Sequence, residues 1–485
     1  MNPIPMNGAF DAPAAKIAAK NLRTRMKALG VDFPLAHAYE GVAAVFGHPT
    51  WNVLSAAPPE GLPFSILPDD AIPLSVLFGK TALYRSIIEG LRVPAERAGS
   101  RSVLRCVVIG SRPYLGMPPT VDPSVKSTRV TFSSEKPLPI SIFDTPLGRR
   151  LPTPQHRHRI ALFLASIIRI VHPLEATPAI LEQLEILVDA LYLHHSDGGR
   201  KSHPFKRASS SATHGELELA GLPIIGGETW WNAADRAYAG RNLALSRAAQ
   251  SNAVPRLDHV IPFVRGYVSP LTDSGETLSE LLARAISAAY RTYPCFTFSE
   301  SRFGEEERAG YDRIDYEIDA RSSGGSKVAS ALYMAAFNAA AIEADGAFLD
   351  APDRSLVPPA LSADIRSTIV LEKAETVLDA LGSPSAARKL IEHGSSENRR
   401  CLVLTESMEI ASIAHAQSAT FAVTACSDAR RLDAISDLLG LAPEDGDEID
   451  QAMKNPTYSS DSVPAVSSRR VNRRTERTMG RISLG

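Results

Sequence analysis

The feature that most constrains the fold is the alternation of short apolar runs with longer amphipathic segments between residues 62 and 440. Short runs rich in Val, Ile and Leu are typical of buried strands, and apolar residues spaced three and four apart are typical of helices. Strands are predicted at residues 103–109, 130–132, 140–143, 369–371, 402–404 and 421–424. This alternation predicts an α/β fold in which helices are layered on a sheet.

Helical periodicity predicts the elements between these strands. Helices are predicted at residues 81–91, 156–171, 177–193, 229–249, 278–290, 327–344, 385–393 and 428–439. Because residues 172–300 are almost wholly helical by this criterion, they are expected to form an insertion beside the sheet.

The two ends of the chain differ from this central region. Residues 1–58 contain predicted helices at 14–30, 36–46 and 50–54, and they end in the linker 57–61. We expect them to form a small helical module. Residues 441–485 are acidic, then rich in Ser and Pro, then basic, which predicts a disordered tail.

Composition excludes several classes of protein. The formal net charge of −2 gives no global argument for binding nucleic acid or membranes, so such a surface would have to be local. The four cysteines form no CxxC pair, and therefore neither a zinc site nor a disulfide framework is predicted. No apolar run is long enough for a membrane span. We therefore expect a soluble, cytoplasmic protein.

Several segments together resemble one family over residues 70–440. They are PISIFDTPLGRRLPTPQHRHRIALFLASII, GGETWWNAADRAYAGRNLALSRAAQSNAVPRL and SGETLSELLARAISAAYRTYPCFTFSESRFG, followed by DRIDYEID and ALYMAAFNAA. Their order and spacing resemble the type IVB secretion and conjugative-plasmid ATPases (the IcmB/DotO and TraU-like group). The resemblance implies a RecA-like P-loop ATPase core, a hexameric assembly, and a place at the cytoplasmic face of a conjugation or secretion machine.

The N-terminal module has a resemblance of its own. AAKNLRTRMKALG and AYEGVAAVFGHPTWNVL are similar to a helical module, described as glyoxalase-superfamily-like, of plasmid and mobile-element proteins. The chain retains Gly47, Trp51, Asn52 and Leu54 of that pattern, but Leu35 replaces a histidine of it. No metal or catalytic role is predicted from this likeness.

One segment resembles a P-loop, in which backbone N–H groups and a lysine bind phosphates and a Ser or Thr binds Mg²⁺. In LSVLFGKTALYRSII, the residues Gly79, Lys80 and Thr81 open a predicted helix, but Leu74 stands where the first glycine belongs. The apolar residues between them make a poor phosphate nest. The segment is interpreted either as an altered site for ATP and Mg²⁺, or as a strand followed by a helix with an exposed lysine.

The acids required for hydrolysis are altered as well. An ATPase of this type has an Asp that holds Mg²⁺ and a residue that orients the attacking water. At the position that the resemblance indicates, STIVLEKAE has Glu372 and Lys373, and CLVLTES has Glu406 and Ser407 where the family has Ser and Gln. Glu372 is the candidate catalytic residue, whereas a protonated lysine cannot act as a base. Three altered positions together predict a pseudo-ATPase.

Three further groups of polar residues are candidates for a functional site. Asp144 follows the predicted strand 140–143, and the resemblance places it in the nucleotide-binding cleft. His156 and His158 are interpreted as part of a solvated, basic helix start, because residues two apart on a helix face different directions. The acids of DYEID, residues 315–319, alternate with apolar residues and predict a half-exposed strand.

The basic tail is the strongest local candidate for binding an anion, either DNA or a membrane surface. Its candidate residues are Arg469, Arg470, Arg473, Arg474 and Arg477. The alternative is a solvated tail with no partner.

The sequence therefore predicts a degenerate conjugation or secretion ATPase that acts as a component of a DNA- or protein-transfer apparatus. Its partners would be other components of that machine, in a homo- or hetero-hexamer with peripheral contact to the inner membrane. Two alternatives remain open. One is an active ATP-driven motor that uses Lys80, Thr81 and Glu372. The other is a nucleotide-independent DNA- or protein-binding factor of a mobile element.

Overall fold

A computed structural model describes most of the central region of the chain. The described residues are 19–20, 23–24, 26–27, 31, 34–45, 74–78, 104–111, 127–145, 149–197, 212–223, 228–267, 269, 275–297, 313–319, 325–346, 366–395, 399–424, 429–441, 462–471 and 474–483. The predicted helices at 50–54 and 81–91, the linker 57–61 and the residues Gly79, Lys80 and Thr81 lie outside them.

Nine strands in the described part of the chain form a single sheet. They are β1 (Leu74–Phe78), β2 (Leu104–Ser111), β3 (Ser127–Ser133), β4 (Arg313–Asp319), β5 (Arg366–Glu372), β6 (Arg399–Thr405), β7 (Thr420–Val423), β8 (Ser462–Val471) and β9 (Arg474–Ser483). Their order is β3-β4-β2-β5-β6-β1-β7-β8-β9. Every pair from β3 to β7 is parallel, and β8 and β9 are antiparallel.

The strand order confirms the predicted α/β fold and its RecA-like core. β6 pairs with both β1 and β5, so a single strand separates the strand that precedes Gly79 from the strand that ends in Glu372. This arrangement is that of a RecA-like core. The central strands are near-continuous apolar runs, as is typical of buried strands in a parallel sheet.

The described helices connect and cover these strands. They are α1 (Leu35–Val45), α2 (Pro154–Val171), α3 (Pro178–Asp197), α4 (Ala212–Leu219), α5 (Trp230–Ala239), α6 (Leu243–Ala253), α7 (Leu257–Arg265), α8 (Leu278–Thr292), α9 (Gly325–Gly346), α10 (Glu375–Leu381), α11 (Pro384–Gly394), α12 (Met408–Ala416) and α13 (Ala429–Leu439). No described helix is both long enough and apolar enough to cross a lipid bilayer.

Several helices are stacked on the strands β2, β4 and β5. α9 packs against β2, β4 and β5, and α2 packs on α9. α3 and α8 in turn pack on α2. The core between these helices includes Phe163, Phe296 and Phe337, which are wholly or almost wholly buried. The predicted helical insertion is confirmed for the described residues between 178 and 292, where every regular element is a helix.

One predicted helix is two helices. Residues 229–249 contain α5 and α6, which are separated at Gly240 and Arg241. Arg241 has a left-handed backbone (φ 59°), and Asn242 caps α6 by accepting a hydrogen bond from the N–H of Leu245. Gly240, a residue typical of helix ends, and Asn242, a residue typical of helix starts, were the signals of this break in the sequence.

The predicted strand at 140–143 is wrong. Residues 140–145 form a buried irregular segment, the 140–145 strap. Side chains replace the missing strand partner: Ile142 O accepts from Asn338 Nδ2 at 2.6 Å, and Phe143 O accepts from Tyr192 OH at 2.5 Å. Gln250 Nε2 donates to Thr145 O at 2.7 Å. The strap is therefore fixed to α9, α3 and α6 rather than to the sheet.

The predicted disorder of the tail is also wrong for the described residues. β8 and β9 form an antiparallel hairpin, and β8 pairs with β7 through Val466, Ser467 and Ser468. Without β8, the N–H and C=O groups on that side of β7 would need other partners. The basic composition of the tail concealed its Val, Thr and Ile residues, which favour strands.

Two expectations about exposure are corrected as well. Asp315 and Glu317 are buried, because β4 is an interior strand between β3 and β2. Thr131 Oγ1 on β3 donates to Glu317 Oε2 at 3.3 Å. His156 and His158 are also buried rather than solvated, because α2 is covered by α3, α8 and α9.

Replacing Gly382 by alanine is expected to lower the free energy of unfolding by about 2 kcal/mol, because this glycine has a left-handed backbone (φ 61°). An added Cβ would also overlap with Arg169 Nη1, which donates to Leu174 O at 2.5 Å. Urea unfolding measures the change. Gly266→Ala, where the nearest atom would be 3.8 Å from the Cβ, is the control. Equal stability of the two variants would contradict the expected conflict at Gly382.

Candidate nucleotide site at the carboxyl ends of the strands

The carboxyl ends of β1, β6 and β5 lie side by side. Phe78, the last residue of β1, pairs in register with Thr405, the last residue of β6, and Leu404 pairs with Glu372 at the end of β5. Ligands of open parallel sheets bind at this edge. The topology thus brings the strand before Gly79 to within one strand of Glu372. Gly79, Lys80 and Thr81 lie outside the described residues, so their contact with phosphate stays a prediction.

Glu372 is enclosed by the core. The residue is 0% exposed, and its backbone oxygen accepts a hydrogen bond from Tyr333 OH of α9 at 3.0 Å. Burial, and then the charges of Glu372 and Glu375, raise the pKa of Tyr333 well above its usual value. Tyr333 therefore remains a hydrogen-bond donor across the ordinary pH range and holds the end of β5.

Lys373 occupies a conformation that lysine rarely adopts. Its φ is 52°, in the left-handed region that costs an L-residue on the order of 1 kcal/mol. This turn ends β5 and leads into α10. The residue that follows Glu372 is therefore part of a tight turn.

A carboxylate that the sequence analysis missed lies at the start of α10. Glu375 Oε2 accepts a hydrogen bond from Thr405 Oγ1 at 2.9 Å. Burial is the main cause of a raised pKa of Glu375; the Thr405 bond and Lys373 lower it, and Glu406 raises it. The family pattern predicts two adjacent acids, whereas Glu375 is the third residue after Glu372. A second acid within STIVLEKAE was the available signal.

Glu406 and Ser407 follow Thr405 on the same edge. Ser407 caps α12 by accepting from the N–H of Ile410, and its own N–H donates to Thr405 Oγ1 at 3.0 Å. Glu406 forms an ion pair with Arg431 of α13 at 3.2 Å. These contacts connect the end of β6 to α12 and α13. Glu375, at the start of the helix that follows β5, contacts the end of β6 through Thr405.

The chemistry of this edge suits a nucleotide only together with a cation. Glu372, Glu375 and Glu406 would repel phosphate groups unless Lys80 and Mg²⁺ met that charge. Within the described part of the chain, no three His, Cys, Asp or Glu side chains are arranged to hold a metal ion by themselves.

Asp144 is located in the helical layer. It belongs to the 140–145 strap, and its charge contributes to the raised pKa of Tyr192 on α3, whose main cause is burial. The role of Asp144 in nucleotide binding stays a prediction.

The five candidate arginines of the tail belong to the hairpin. Arg469 and Arg470 are on β8, Arg474 and Arg477 are on β9, and Arg473 lies between these strands outside the described residues. In register, Arg469 pairs with Glu476 and Arg470 pairs with Thr475. The topology thus separates these arginines from the Glu372 edge, and their role in binding an anion stays a prediction.

Comparisons with known proteins give structural neighbours of one kind. No family model and no curated protein matches the sequence. A solved structure of VirB4 from Thermoanaerobacter pseudethanolicus is similar at 14% identity and a TM-score of 0.43, over 84% of this chain and 88% of that chain. The bacterial conjugative coupling protein TrwB in complex with sulphate is similar at 11% identity and a TM-score of 0.41, over 87% and 90%.

A second structure of the plasmid coupling protein TrwB, in complex with the non-hydrolysable GTP analogue GDPNP, is similar at 11% identity and a TM-score of 0.40, over 90% and 92%. At these identities and TM-scores the likeness carries no argument about function, and the fold is assigned from the strand order. No comparison supports the likeness of the N-terminal module to the glyoxalase-superfamily-like unit.

Proposed function

We propose that the chain is a nucleotide-binding, non-hydrolysing component of a DNA- or protein-transfer apparatus of the conjugation or type IV secretion kind. The observation that carries the proposal is the end of β5, where a fully buried Glu372 is followed by Lys373. Hydrolysis of ATP needs a group that can orient the attacking water. An enclosed carboxylate followed by a lysine supports binding without hydrolysis.

The neighbouring contacts support the binding part of this proposal. The register of β1 with β6 sets Phe78, and therefore the start of Gly79-Lys80-Thr81, opposite Thr405. Lys80 and Thr81 would bind the phosphates and Mg²⁺ of ATP. Partners would be other components of the machine, in a homo- or hetero-hexamer at the inner face of the membrane.

One observation favours the active-motor alternative. Glu375, a carboxylate of raised pKa, accepts a hydrogen bond from Thr405. Thr405 pairs with Phe78, the residue before Gly79. A carboxylate so placed could accept a proton from water. In that case Glu375, rather than Glu372, would be the base of an ATP-driven motor.

Nucleotide binding and turnover separate these proposals. We expect the purified chain to bind a fluorescent ATP analogue with Mg²⁺ and to release phosphate only at the background rate. Lys80→Ala should weaken the binding at least about tenfold, because it removes a phosphate contact. Fluorescence titration and a phosphate-release assay measure the two quantities.

Turnover that requires Mg²⁺ and is lost in Lys80→Ala would overturn the non-hydrolysing proposal. If that turnover is also lost in Glu375→Gln but kept in Glu372→Gln, Glu375 is the base. No binding of nucleotide by the unmodified chain would overturn both the proposal and the motor.

A further inference from the structure

A cavity of about 530 Å³ lies where five helices come together. Its wall is formed by the last turn of α2, the first turns of α9, the segment from the end of α10 to the start of α11, and the first turn of α12. The polar side chains of the wall are those of Arg169, Lys327, Ser330, Asp379, Ser383 and Glu409. The volume is within the range of about 300–1,000 Å³ that is usual for small-molecule sites.

The backbone holds the guanidinium group of Arg169 in place. Its Nη1 donates to Leu174 O, and its Nη2 donates to Asp379 O at 3.4 Å. Gly382 makes room for the group, because a Cβ at this position would be only 2.3 Å from Nη1. A guanidinium group has five N–H donors, so these two bonds leave others for a ligand. A fixed planar fork of this kind suits a carboxylate or a phosphate.

Four charged side chains line the cavity, and their charges balance. Arg169 and Lys327 are positive, whereas Asp379 and Glu409 are negative. Within the part of the chain that the structure describes, none of the four forms an ion pair with another side chain. A ligand with one charge of each sign therefore finds a partner for both, whereas the two carboxylates repel a polyanion.

The wall between these charges is also polar. Ser330 and Ser383 are both 2% exposed and contribute hydroxyl groups, and Ser383 Oγ is bonded to Ser385 Oγ at 2.9 Å. The apolar side chains of the wall are those of Leu378 and Pro384. Because the affinity of a hydrophobic ligand comes mostly from buried apolar surface, this wall favours a small polar ligand instead.

We propose that this cavity binds a zwitterion of the amino-acid type. The carboxylate of the ligand contacts Arg169 and Lys327, and its ammonium group contacts Asp379 and Glu409. Charge-assisted hydrogen bonds then form at both ends of the ligand, and these are stronger than bonds between neutral groups. A phosphate would satisfy the two cations but would face two carboxylates, so the balance of charge selects the zwitterion.

The cavity is distinct from the candidate nucleotide site. Glu375 and Asp379 are four residues apart on α10, or about 6 Å along the helix axis. Glu375 contacts the end of β6 through Thr405, whereas the backbone oxygen of Asp379 accepts from Arg169 at the end of α2. The inference therefore does not depend on the proposed function, and its test requires no nucleotide.

The experiment measures the thermal unfolding of the full chain with each common L-amino acid at about 5 mM, a concentration that occupies a site of millimolar Kd. Isothermal titration calorimetry then gives the Kd of the amino acid that raises Tm most. Acetate, ethylamine and inorganic phosphate are the comparison ligands, because each carries charge of one sign.

We expect at least one amino acid to raise Tm, and acetate and ethylamine to bind at least about tenfold more weakly, because each lacks one of the two charged contacts. Lys327→Gln and Asp379→Asn should each weaken binding of that amino acid about tenfold or more for the same reason. Both residues are exposed, so these substitutions leave the core unchanged. The matched controls are Lys389→Gln and Asp437→Asn, exposed residues of α11 and α13 outside the cavity, which should bind as the unmodified chain does.

The inference is overturned if no amino acid binds, if acetate or inorganic phosphate binds as tightly as the best amino acid, or if Lys327→Gln and Asp379→Asn bind as their controls do. Displacement of the amino acid by the ATP analogue would also overturn it, because the ligand would then occupy the nucleotide site. A chain that binds the amino acid but no ATP analogue would refute the proposed function and leave this inference standing.

Discussion

Replacing Asn338 by alanine is expected to lower the free energy of unfolding by about 3 kcal/mol. Asn338 is 0% exposed, and its Nδ2 donates to Ile142 O at 2.6 Å while its Oδ1 accepts from Arg159 Nε at 3.2 Å. The substitution removes both bonds inside the core, and one of them involves a charged group. It also leaves a small cavity. Urea unfolding followed by circular dichroism measures the change.

A second asparagine of the chain provides the control. Asn252 is only half-buried, and its Nδ2 donates to Ala248 O of its own helix at 2.9 Å. Asn252→Ala should cost less than about 1 kcal/mol. If the two variants unfold at the same urea concentration, the 140–145 strap does not depend on Asn338.

Acidification from pH 7.5 to 5 is expected to lower the free energy of unfolding by about 2 kcal/mol through His156 alone. Burial, assisted by the positive charge of Arg159, lowers the pKa of this histidine to about 3. The folded state keeps the ring neutral, whereas the unfolded chain binds a proton below its own pKa of about 6.5. The contribution of His156 is therefore complete above pH 6.5 and is lost progressively as the pH falls toward 3.

A second histidine adds to this dependence. Burial, and then the charges of His158 and Arg159, lower the pKa of His393 to about 3. Its ring is partly exposed, so its share is smaller. Glu375 acts in the opposite direction, because its raised pKa makes the folded state the better proton acceptor.

The pH dependence is measured as the difference between unfolding curves of the unmodified chain and of His156→Gln at pH 7.5 and pH 5. Glutamine can still donate to Ile142 O but does not titrate, so this variant should lose about 2 kcal/mol less on acidification. The control is His194→Gln on the exposed side of α3, which should behave as the unmodified chain. Identical losses in all three proteins would refute the assignment to His156.

The sheet was largely predictable because its strands are local features. β2, β5, β6 and β7 contain runs of Val, Ile, Leu and Phe, as is typical of the buried strands of a parallel sheet. β4 was harder to interpret, since Asp315 and Glu317 suggested exposure, whereas Glu317 is buried and accepts a bond from Thr131, 186 residues away. Such pairings depend on the whole fold.

The failures of sequence analysis share the same physical origin. Residues 140–143 have strand composition, but they lie between Pro139 and Pro146, and the carbonyls of Phe143 and Ile142 accept from side chains 49 and 196 residues away. The tail has the composition of a disordered segment, but its first strand, β8, is ordered by pairing with β7. At the site, Glu375 was missed because adjacency in sequence was taken for adjacency in space.

The position of β1 has a consequence for the biosynthesis of the protein. β1 pairs only with β6 and β7 among the described strands. Ser75 of β1 pairs with Thr420 of β7, which is synthesised 345 residues later. At a translation rate of about 5–20 residues per second, the emerged segment stays without its neighbours for roughly 20–70 s. Closing so long a loop is also slow on folding timescales. The candidate nucleotide site is therefore assembled near the end of synthesis.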